Sequence, residues 1–251
     1  MPPSAPASPA ADQVPARAAA VWAALDPLVA AGRPLRVLDV GGGSGTLAVP
    51  LARLGHDVTV VDPSADALAT LTRRAQTAGV GERVHGVQGD GDQLHEVVPA
   101  GEDGGSWDLA LCHSVLEVVD DPAATLRELA RALRPGGTAS VASANRAGAV
   151  LARAAAGHPV EALALLEDRD PAPRRAARPA RRRFSPQDLL ALVEAAGLQP
   201  GSWRGVSVVA DLLDATSGAA PDAVRRLELA LAESSPYRDV AAGLHLLATR
   251  P

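Results

Sequence analysis

The segment RVLDVGGGSG, from Arg36 to Gly45, constrains the fold more than any other, because four glycines occupy five positions directly after an apolar run. Leu35–Val40 has the length and composition of a strand buried on both faces. Glycine permits positive φ and lets a ligand approach the backbone where a Cβ would clash. A helical segment, Thr46–Gly55, follows. Strand, glycine turn and helix in this order are typical of a site for a nucleotide-like ligand beyond the strand's carboxyl end.

Strand and helix patterns alternate from Leu35 to Ala144. The helices between the strands start at residues suited to helix N-termini, Ser64 and the pair Asp121-Pro122. This alternation predicts a parallel sheet with helices on both faces. The further strands expected in this half are Asp57–Asp62, Arg83–Asp90, Trp107–Cys112 and Thr138–Ala144, and the helix before the first strand is expected at Val14–Ala31.

The second half of the chain has a looser order. Arg146–Gly157 has a helical pattern, and a further helix begins at Pro186 with Ser185 as its cap. Two more strands are expected at Gly205–Val209 and Leu244–Thr249. These elements complete the sheet and cover a site at its edge.

The domain organisation follows from composition. Residues 1–13 are rich in Pro, Ala and Ser and are expected to be a disordered tail, and residues 14–251 form a single domain. The Pro/Arg-rich stretch 168–183 is predicted to be a loop. The first residues lack the basic and apolar regions of a signal peptide, and the chain has no apolar run long enough to span a membrane. We therefore expect a cytoplasmic protein without membrane contact.

Charge and cysteine content exclude several classes of function. The net charge is −5, so the surface as a whole does not suit nucleic acid, and a polyanion would need a local basic patch. All 24 basic residues are Arg, which excludes lysine chemistry. The single Cys112 excludes an intramolecular disulfide and a cysteine-cluster metal site, and no metal site is predicted.

The glycine spacing decides between nucleotide ligands. In the dinucleotide fingerprint G-x-G-x-x-G/A, the third glycine position would fall on Thr46, which speaks against a nicotinamide dehydrogenase. A Walker loop is excluded because no Gly-Lys-Ser/Thr follows. The spacing is instead D-x-G-x-G-x-G, with Asp39 at its start. Asp62, at the end of the second strand, lies where a carboxylate can accept bonds from ribose hydroxyls, and the stretch GDGDQL (Gly89–Leu94) can meet an adenine amino group.

This loop, the acidic end of strand two and the LRPGG before strand five resemble the class I S-adenosylmethionine-dependent methyltransferases. The resemblance covers about Arg36 to Ser143 and implies a Rossmann-like fold with a mostly parallel seven-stranded sheet. It implies S-adenosyl-L-methionine as the cofactor and Asp62 as the ribose acceptor. Asp92 and Gln93 would meet the adenine, with Asp90 as a competitor for that role. The methionine end would be held by Asp39, Gly41, Gly42, Gly43 and Gly45.

A closer resemblance is to the bacterial tRNA 5-carboxymethoxyuridine methyltransferases. Their pattern H-A-V-L-E-W-x-x-D-P is matched here by HSVLEVVDDP, and order and spacing agree from about Ala16 to the end. By this resemblance Arg17 contacts the cofactor's carboxylate and His113 lies beside the cofactor. The substrate half departs from the family, since several polar and aromatic positions have become small or apolar: Ala144, Ser207, Val209, Ala210, Leu212, Ala241, Ala242 and Gly243.

The chemistry implied is methyl transfer to a carboxylate, which is ionised at neutral pH and needs no general base. His113 is then either a base for another kind of acceptor or a hydrogen-bonded neighbour of the cofactor. Glu117 is expected to pack and not to act as a catalyst. Tyr237, the only tyrosine, either faces the site or packs in the core. The Arg-rich stretch ends in three arginines expected to contact the phosphates of a tRNA substrate, Arg181, Arg182 and Arg183.

Three functions stay open at this point. The first is a methyltransferase that esterifies a carboxylate on a wobble uridine of tRNA. The second is an enzyme of the same fold that methylates a small molecule, with the arginine loop as a lid. The third is a non-catalytic protein that binds the cofactor or serves as a scaffold. The oligomeric state has no signal in the sequence.

Overall fold

A computed structural model describes residues 14–98, 105–167, 181–213 and 218–251. The expected tail at residues 1–13 and the greater part of the arginine loop, residues 168–180, lie outside the described residues. The described strands form one seven-stranded sheet in the order β3-β2-β1-β4-β5-β7-β6, and β7 alone among them runs antiparallel. The strands are β1 (Arg36–Val40), β2 (Asp57–Asp62), β3 (Val84–Gln88), β4 (Trp107–His113), β5 (Leu133–Ala144), β6 (Gln199–Val206) and β7 (Gly243–Thr249).

Helices cover the sheet: α1 (Ala19–Val29), α2 (Ala48–Arg53), α3 (Ala65–Thr77), α4 (Leu94–Val97), α5 (Pro122–Ala132), α6 (Arg146–Ala155), α7 (Pro159–Glu167), α8 (Pro186–Ala195) and α9 (Pro221–Leu231). No helix within the described ranges has the length and apolar composition needed to cross a bilayer. Strand order reverses between β1 and β4, and ligand crevices in such sheets open at this reversal, beyond the strands' carboxyl ends. The expected mostly parallel sheet of seven strands, in a Rossmann-like arrangement, is confirmed.

The predicted helix starts are confirmed by their hydrogen bonds. The Ser64 hydroxyl accepts from the Ala67 N–H at the start of α3, and the Asp121 carboxylate accepts from the Ala124 N–H at the start of α5. Ser185 and Asp188 form a reciprocal capping box at the start of α8. These local signals correctly indicated where the helices begin.

Several element boundaries differ from the predictions, two of them for identifiable reasons. The first helical stretch divides into a 3-10 turn, Ala16–Ala18, and α1. The strand expected at Gly205–Val209 lies at Gln199–Val206. It ends before Val208 and Val209 because their backbone N–H groups bond to a helix side chain. Strand β5 begins at Leu133 and not at Thr138, because Leu133 already pairs with Trp107 of β4 across an irregular register.

The core has two layers, one on each face of the sheet. Alternate residues of the central strands point to opposite layers, so that in β1 Val37 belongs to the layer that contains Trp22 and Leu25 of α1. Leu38 packs on the other face, where Leu126 of α5 lies. Strands buried on both faces account for the apolar runs in the sequence and leave polar residues for the strand ends.

Glu228 on α9 fixes the loop that follows β6. This carboxylate is fully buried, and it accepts hydrogen bonds from the backbone N–H groups of Val208 (2.9 Å), Val209 (2.7 Å) and Ala210 (2.5 Å). The loop it holds contains Ser207, a non-glycine residue with φ of 56°. One helix side chain thus replaces the strand partners that these three N–H groups lack.

The Glu228→Ala variant should lose about 3 kcal/mol of unfolding free energy, because buried N–H groups would be left without an acceptor. Urea unfolding followed by circular dichroism measures this loss. The matched control is Glu233→Ala, because Glu233 is exposed and pairs with Arg204 on the surface; it should cost at most about 1 kcal/mol. Equal losses in the two variants would contradict the anchoring role.

Candidate active site

The glycine loop leaves β1 at the reversal of strand order, and its glycines are required by geometry. Gly41, Gly43 and Gly45 have φ of 67°, 55° and 80°, a region that other residues adopt rarely. A Cβ on Gly41 would lie 2.3 Å from Val115 Cγ2, and one on Gly45 would lie 2.3 Å from Leu71 Cδ1. The loop therefore packs too closely for any side chain at these two positions.

Asp62 ties the glycine loop to the end of β2. Its Oδ2 accepts a hydrogen bond from the Gly43 N–H at 2.9 Å, and its Oδ1 accepts one from the Ser64 N–H at 2.9 Å. The Gly41 N–H also donates to the Val61 carbonyl at 2.7 Å. Each carboxylate oxygen keeps a further lone pair, so Asp62 can shape the loop and still accept a ribose hydroxyl.

Asp39 is a buried acceptor beneath the loop. It is only 2% exposed, and its Oδ2 has no hydrogen-bond partner among the described residues. A Cβ on Gly42 would lie 2.4 Å from this oxygen, so the loop backbone passes directly over it. Burial, and secondly the charge of Asp62, raise the pKa of Asp39 to about 7. A ligand with a cationic N–H donor, such as the ammonium of an amino acid, would fit this position.

The chain after β3 closes the third side of the crevice. Gly91 is buried against β1, and a Cβ there would lie 3.1 Å from Val40 Cγ1. This contact places the 3-10 turn Gly91–Gln93 beside the glycine loop, with Asp92 half-buried and both Gln93 and Asp90 exposed. The ends of β1, β2 and β3 therefore meet at one crevice, as the sequence predicted.

His113, the last residue of β4, belongs to a chain of polar side chains in the core. Its Nε2 lies 2.8 Å from Ser140 Oγ, and the same oxygen lies 2.8 Å from Nε2 of the fully buried His245. Burial lowers the pKa of His113 to about 4, although its hydrogen bond with Ser140 acts in the opposite direction. The ring is neutral at physiological pH and too weakly basic for a general base. This favours the alternative in which His113 is a hydrogen-bonded neighbour of the cofactor and not a base.

A second cavity, of about 400 Å³, lies beyond the ends of β4 and β5, where β7 begins. Its charged lining residues are Arg17, Glu117, Arg181, Arg183 and Asp211. Arg17, expected on the cofactor side, therefore shares a cavity with two arginines expected to meet the substrate. We refer to this space as the acceptor cavity.

Two residues expected at the substrate side do not line the acceptor cavity. Arg182 is buried, and its guanidinium donates to the carbonyls of Val119 and Asp120, at 2.9 Å for the latter. Arg182 therefore holds the chain after β4. The expectation that it contacts phosphate together with Arg181 and Arg183 is corrected. Tyr237 is 50% exposed and lies outside the cavity lining, so its role in the site stays a prediction.

A larger cavity of about 770 Å³ lies at the opposite end of the sheet. Its lining includes Asp57 at the start of β2, Val84 at the start of β3, and Gln76 on α3. Ligands of parallel α/β sheets bind beyond the carboxyl ends of the strands, and this cavity lies at the amino ends. The crevice and the acceptor cavity are therefore the better candidates for an active site.

Residues 12–201 match the family described as methyltransferase domain. The chain belongs to this family. The resemblance to the class I methyltransferases is thereby confirmed at the level of family and fold.

Two curated relatives and one solved structure show how far the likeness extends. The tRNA 5-carboxymethoxyuridine methyltransferase of Escherichia coli (strain K12) is 35% identical over 146 residues, which cover 57% of this chain and 53% of that protein. The ubiquinone biosynthesis O-methyltransferase of Xanthomonas campestris pv. campestris (strain B100) is 39% identical over 124 residues, 49% of this chain and 48% of that protein.

An S-adenosylmethionine-dependent methyltransferase from Mesorhizobium loti superposes with a TM-score of 0.60 at 21% identity, covering 96% of this chain and 100% of that one. This likeness shows the fold alone. The chain spans about half the length of the curated relatives it matches. The activity of those relatives therefore bears on this chain as a proposal.

The raised pKa of Asp39 predicts how stability depends on pH. The folded state holds the Asp39 proton more tightly than the unfolded chain, in which the pKa is near 3.8. This group should therefore lower the unfolding free energy as pH rises from about 4 to about 7, and the loss should persist above that.

Asp39→Asn keeps the side-chain size without the charge, so this part of the pH dependence should disappear. Urea unfolding at about pH 5 and pH 8 tests this, with Asp57→Asn, an exposed position, as control. A pH dependence equal to the parent's would contradict the raised pKa.

Proposed function

We propose that the chain is an S-adenosyl-L-methionine-dependent methyltransferase that esterifies the carboxylate of 5-carboxymethoxyuridine at the wobble position of a tRNA. The observation that carries this proposal is the pairing of the two spaces at the carboxyl ends of the strands. The glycine loop with Asp62 and a cavity lined by three arginines lie at the same edge of the sheet, at the carboxyl ends of neighbouring strands. Membership of the methyltransferase family supports the reaction type.

The crevice residues suit the parts of S-adenosyl-L-methionine. Asp39, with its unpartnered oxygen under Gly42, would meet the ammonium of the methionine end. Gly41, Gly43 and Gly45 would let the loop backbone approach that end. The ribose would meet Asp62, the adenine would meet Asp92 or Gln93, and Arg17 would meet the cofactor's carboxylate. When bound, the cofactor supplies an electrophilic methyl group on a sulfonium.

The protein's own part in the reaction is to position the acceptor and to bind its charged group. Holding an acceptor in line with the methyl group can lower the activation barrier by about 7–11 kcal/mol. Arg181 and Arg183 would orient the acceptor carboxylate with charge-assisted hydrogen bonds. His113, neutral and bonded to Ser140, would keep its place beside the cofactor without moving a proton.

The tRNA part of the proposal is supported by the E. coli relative and by the size of the cavity. A space of about 400 Å³ holds a single nucleoside-sized group and not a folded RNA. A wobble base lies in a single-stranded loop, where unstacked bases can turn into such a pocket. The expected arginine contacts with the surrounding phosphates would place the RNA without reading its sequence.

A small-molecule acceptor is the second candidate, and the ubiquinone-pathway relative favours it. A phenolic acceptor would have to lose its proton during transfer, and His113 has a pKa of about 4, too low for that task. This speaks for an acceptor that is already ionised. The third possibility is a non-catalytic protein. A scaffold that binds no cofactor does not account for a glycine loop and an acidic partner that fit together. A protein that binds the cofactor without transferring its methyl group would have the same loop, and a methylation assay separates it from an enzyme.

Asp62→Ala should weaken the binding of S-adenosylhomocysteine by about 10- to 100-fold, because the ribose loses a charged acceptor and the loop loses its tie. Isothermal titration calorimetry measures the affinity. Asp57→Ala removes a carboxylate from the other end of the same strand and should bind like the parent. Unchanged affinity in Asp62→Ala would refute the proposed place of the ribose.

The paired change of Arg181 and Arg183 to Ala should lower kcat/KM for tRNA by about 100-fold or more, since the carboxylate would lose its counter-charges. The acceptor is tRNA isolated from cells that lack the gene, and the product is the methylated nucleoside found by mass spectrometry. The control is Arg226→Ala on α9, outside both spaces. A parent enzyme that never methylates this tRNA would favour the small-molecule candidate.

A further inference from the structure

Three buried polar atoms without a partner among the described residues belong to residues that line the same cavity. They are Glu117 Oε2, Ser143 Oγ and Ser207 Oγ, and their residues are only 5%, 4% and 7% exposed. All three residues line the acceptor cavity. Buried polar atoms are nearly always hydrogen-bonded, and leaving one unpaired costs free energy. Three of them on one wall therefore indicate a polar ligand that completes their bonds.

The Glu117 carboxylate divides its two oxygens between the fold and the cavity. Oε1 accepts a hydrogen bond from the Ala144 N–H at 2.6 Å, which ties the chain after β4 to the end of β5. Oε2 is the oxygen without a partner. The backbone carbonyl of Glu117 also accepts from the Arg182 N–H at 3.0 Å, so the residue is held from both sides. Its orientation is therefore set before any ligand binds.

Burial and the groups around Glu117 act on its pKa in opposite directions. Burial raises the pKa of Glu117, while its backbone hydrogen bonds, including the one from the Ala144 N–H, and then the nearby guanidiniums of Arg181 and Arg183 act in the opposite direction. Neither arginine forms a side-chain ion pair among the residues that the structure describes. The cavity thus offers cations for an anion and, beside them, the Glu117 carboxyl oxygen as a buried acceptor for a hydrogen-bond donor. Asp211, the other acidic residue of the lining, is exposed.

We infer that Glu117 is a specificity-determining residue of the acceptor site, which deepens the proposed function and rests on it. Its Oε2 accepts a hydrogen bond from an N–H or O–H of the acceptor, while Arg181 and Arg183 bind the acceptor's carboxylate. The substrate class is an organic acid that carries such a donor on the same small ring system. The imide N3–H of a uracil ring meets this requirement, and Ser143 and Ser207 can bond the ring's carbonyl oxygens.

Glutamine at this position reverses the polarity of one atom and preserves the rest. In Glu117→Gln the amide oxygen can still accept from the Ala144 N–H, so the chain after β4 keeps its anchor. The amide nitrogen then presents donors to the cavity where Oε2 was an acceptor. An N–H of the substrate would then face an N–H of the glutamine, and the two donors repel each other. A substrate that lacks this N–H should bind the variant as well as it binds the parent.

The test uses two short RNA hairpins with 5-carboxymethoxyuridine at the wobble position, one of them methylated at N3. The parent should prefer the N3–H hairpin by about 100-fold or more in kcat/KM, because the analogue leaves Glu117 unpaired. Glu117→Gln should lose about 100-fold on the N3–H hairpin and stay within about threefold on the analogue. Glu161→Gln, an exposed carboxylate on α7, should behave like the parent.

S-adenosylhomocysteine affinity separates the possible failures. If Glu117→Gln binds it like the parent and still prefers the N3–H hairpin as strongly as the parent does, Oε2 does not contact the acceptor and this inference is wrong, with the proposed function intact. If the parent binds S-adenosylhomocysteine but methylates neither hairpin, the proposed acceptor and this inference are both wrong. If the parent does not bind it, the proposed cofactor is wrong as well.

Discussion

The hydrogen bond from the Gly43 N–H to the Asp62 carboxylate is the contact on which the rest of the site depends. It holds the glycine loop against the end of β2 and keeps the loop backbone over Asp39. In this placement the Asp39 oxygen is buried, the glycines adopt positive φ and Val115 lies close to Gly41. A crevice made of backbone, with a carboxylate at its edge, suits an adenosyl group whose methionine end carries opposite charges.

Much of the crevice could be predicted from sequence because its determinants are local. Glycines at positive φ, a carboxylate at the end of β2 and capping residues such as Ser64 act within a few positions of where they stand. One role of Asp62 was not predicted: its oxygens also accept hydrogen bonds from two backbone N–H groups, at 2.9 Å each. That second role depends on the fold of the loop and has no separate sequence signal.

The acceptor side was harder to predict because its determinants are far apart in the chain. Ser140 and His245 are separated by 105 positions and meet only because β7 inserts beside β5. Glu228 reaches the loop after β6 from a helix that follows it, and Arg182 turns inward to backbone carbonyls. A histidine inside the apolar run of β7 was the one available signal. A polar residue at an inward position of a strand indicates a buried network.

The two spaces divide the chemistry between them. In the proposed function, the crevice would recognise one ligand largely with backbone, while the acceptor cavity would use charge, with Arg181, Arg183 and Glu117 in its lining. Such a cavity favours an acceptor that arrives ionised, which agrees with the low pKa of His113. Of the positions that depart from the family pattern, Ala144, Ser207, Ala242 and Gly243 line this cavity.

The most direct test of this account is the position of bound S-adenosylhomocysteine in a crystal of this protein. The account predicts electron density with the ribose at Asp62, the amino group over Asp39 and the sulfur facing the acceptor cavity. Density at the amino ends of β2 and β3, in the cavity of about 770 Å³, would contradict it, as would a crevice that stays empty at saturating ligand.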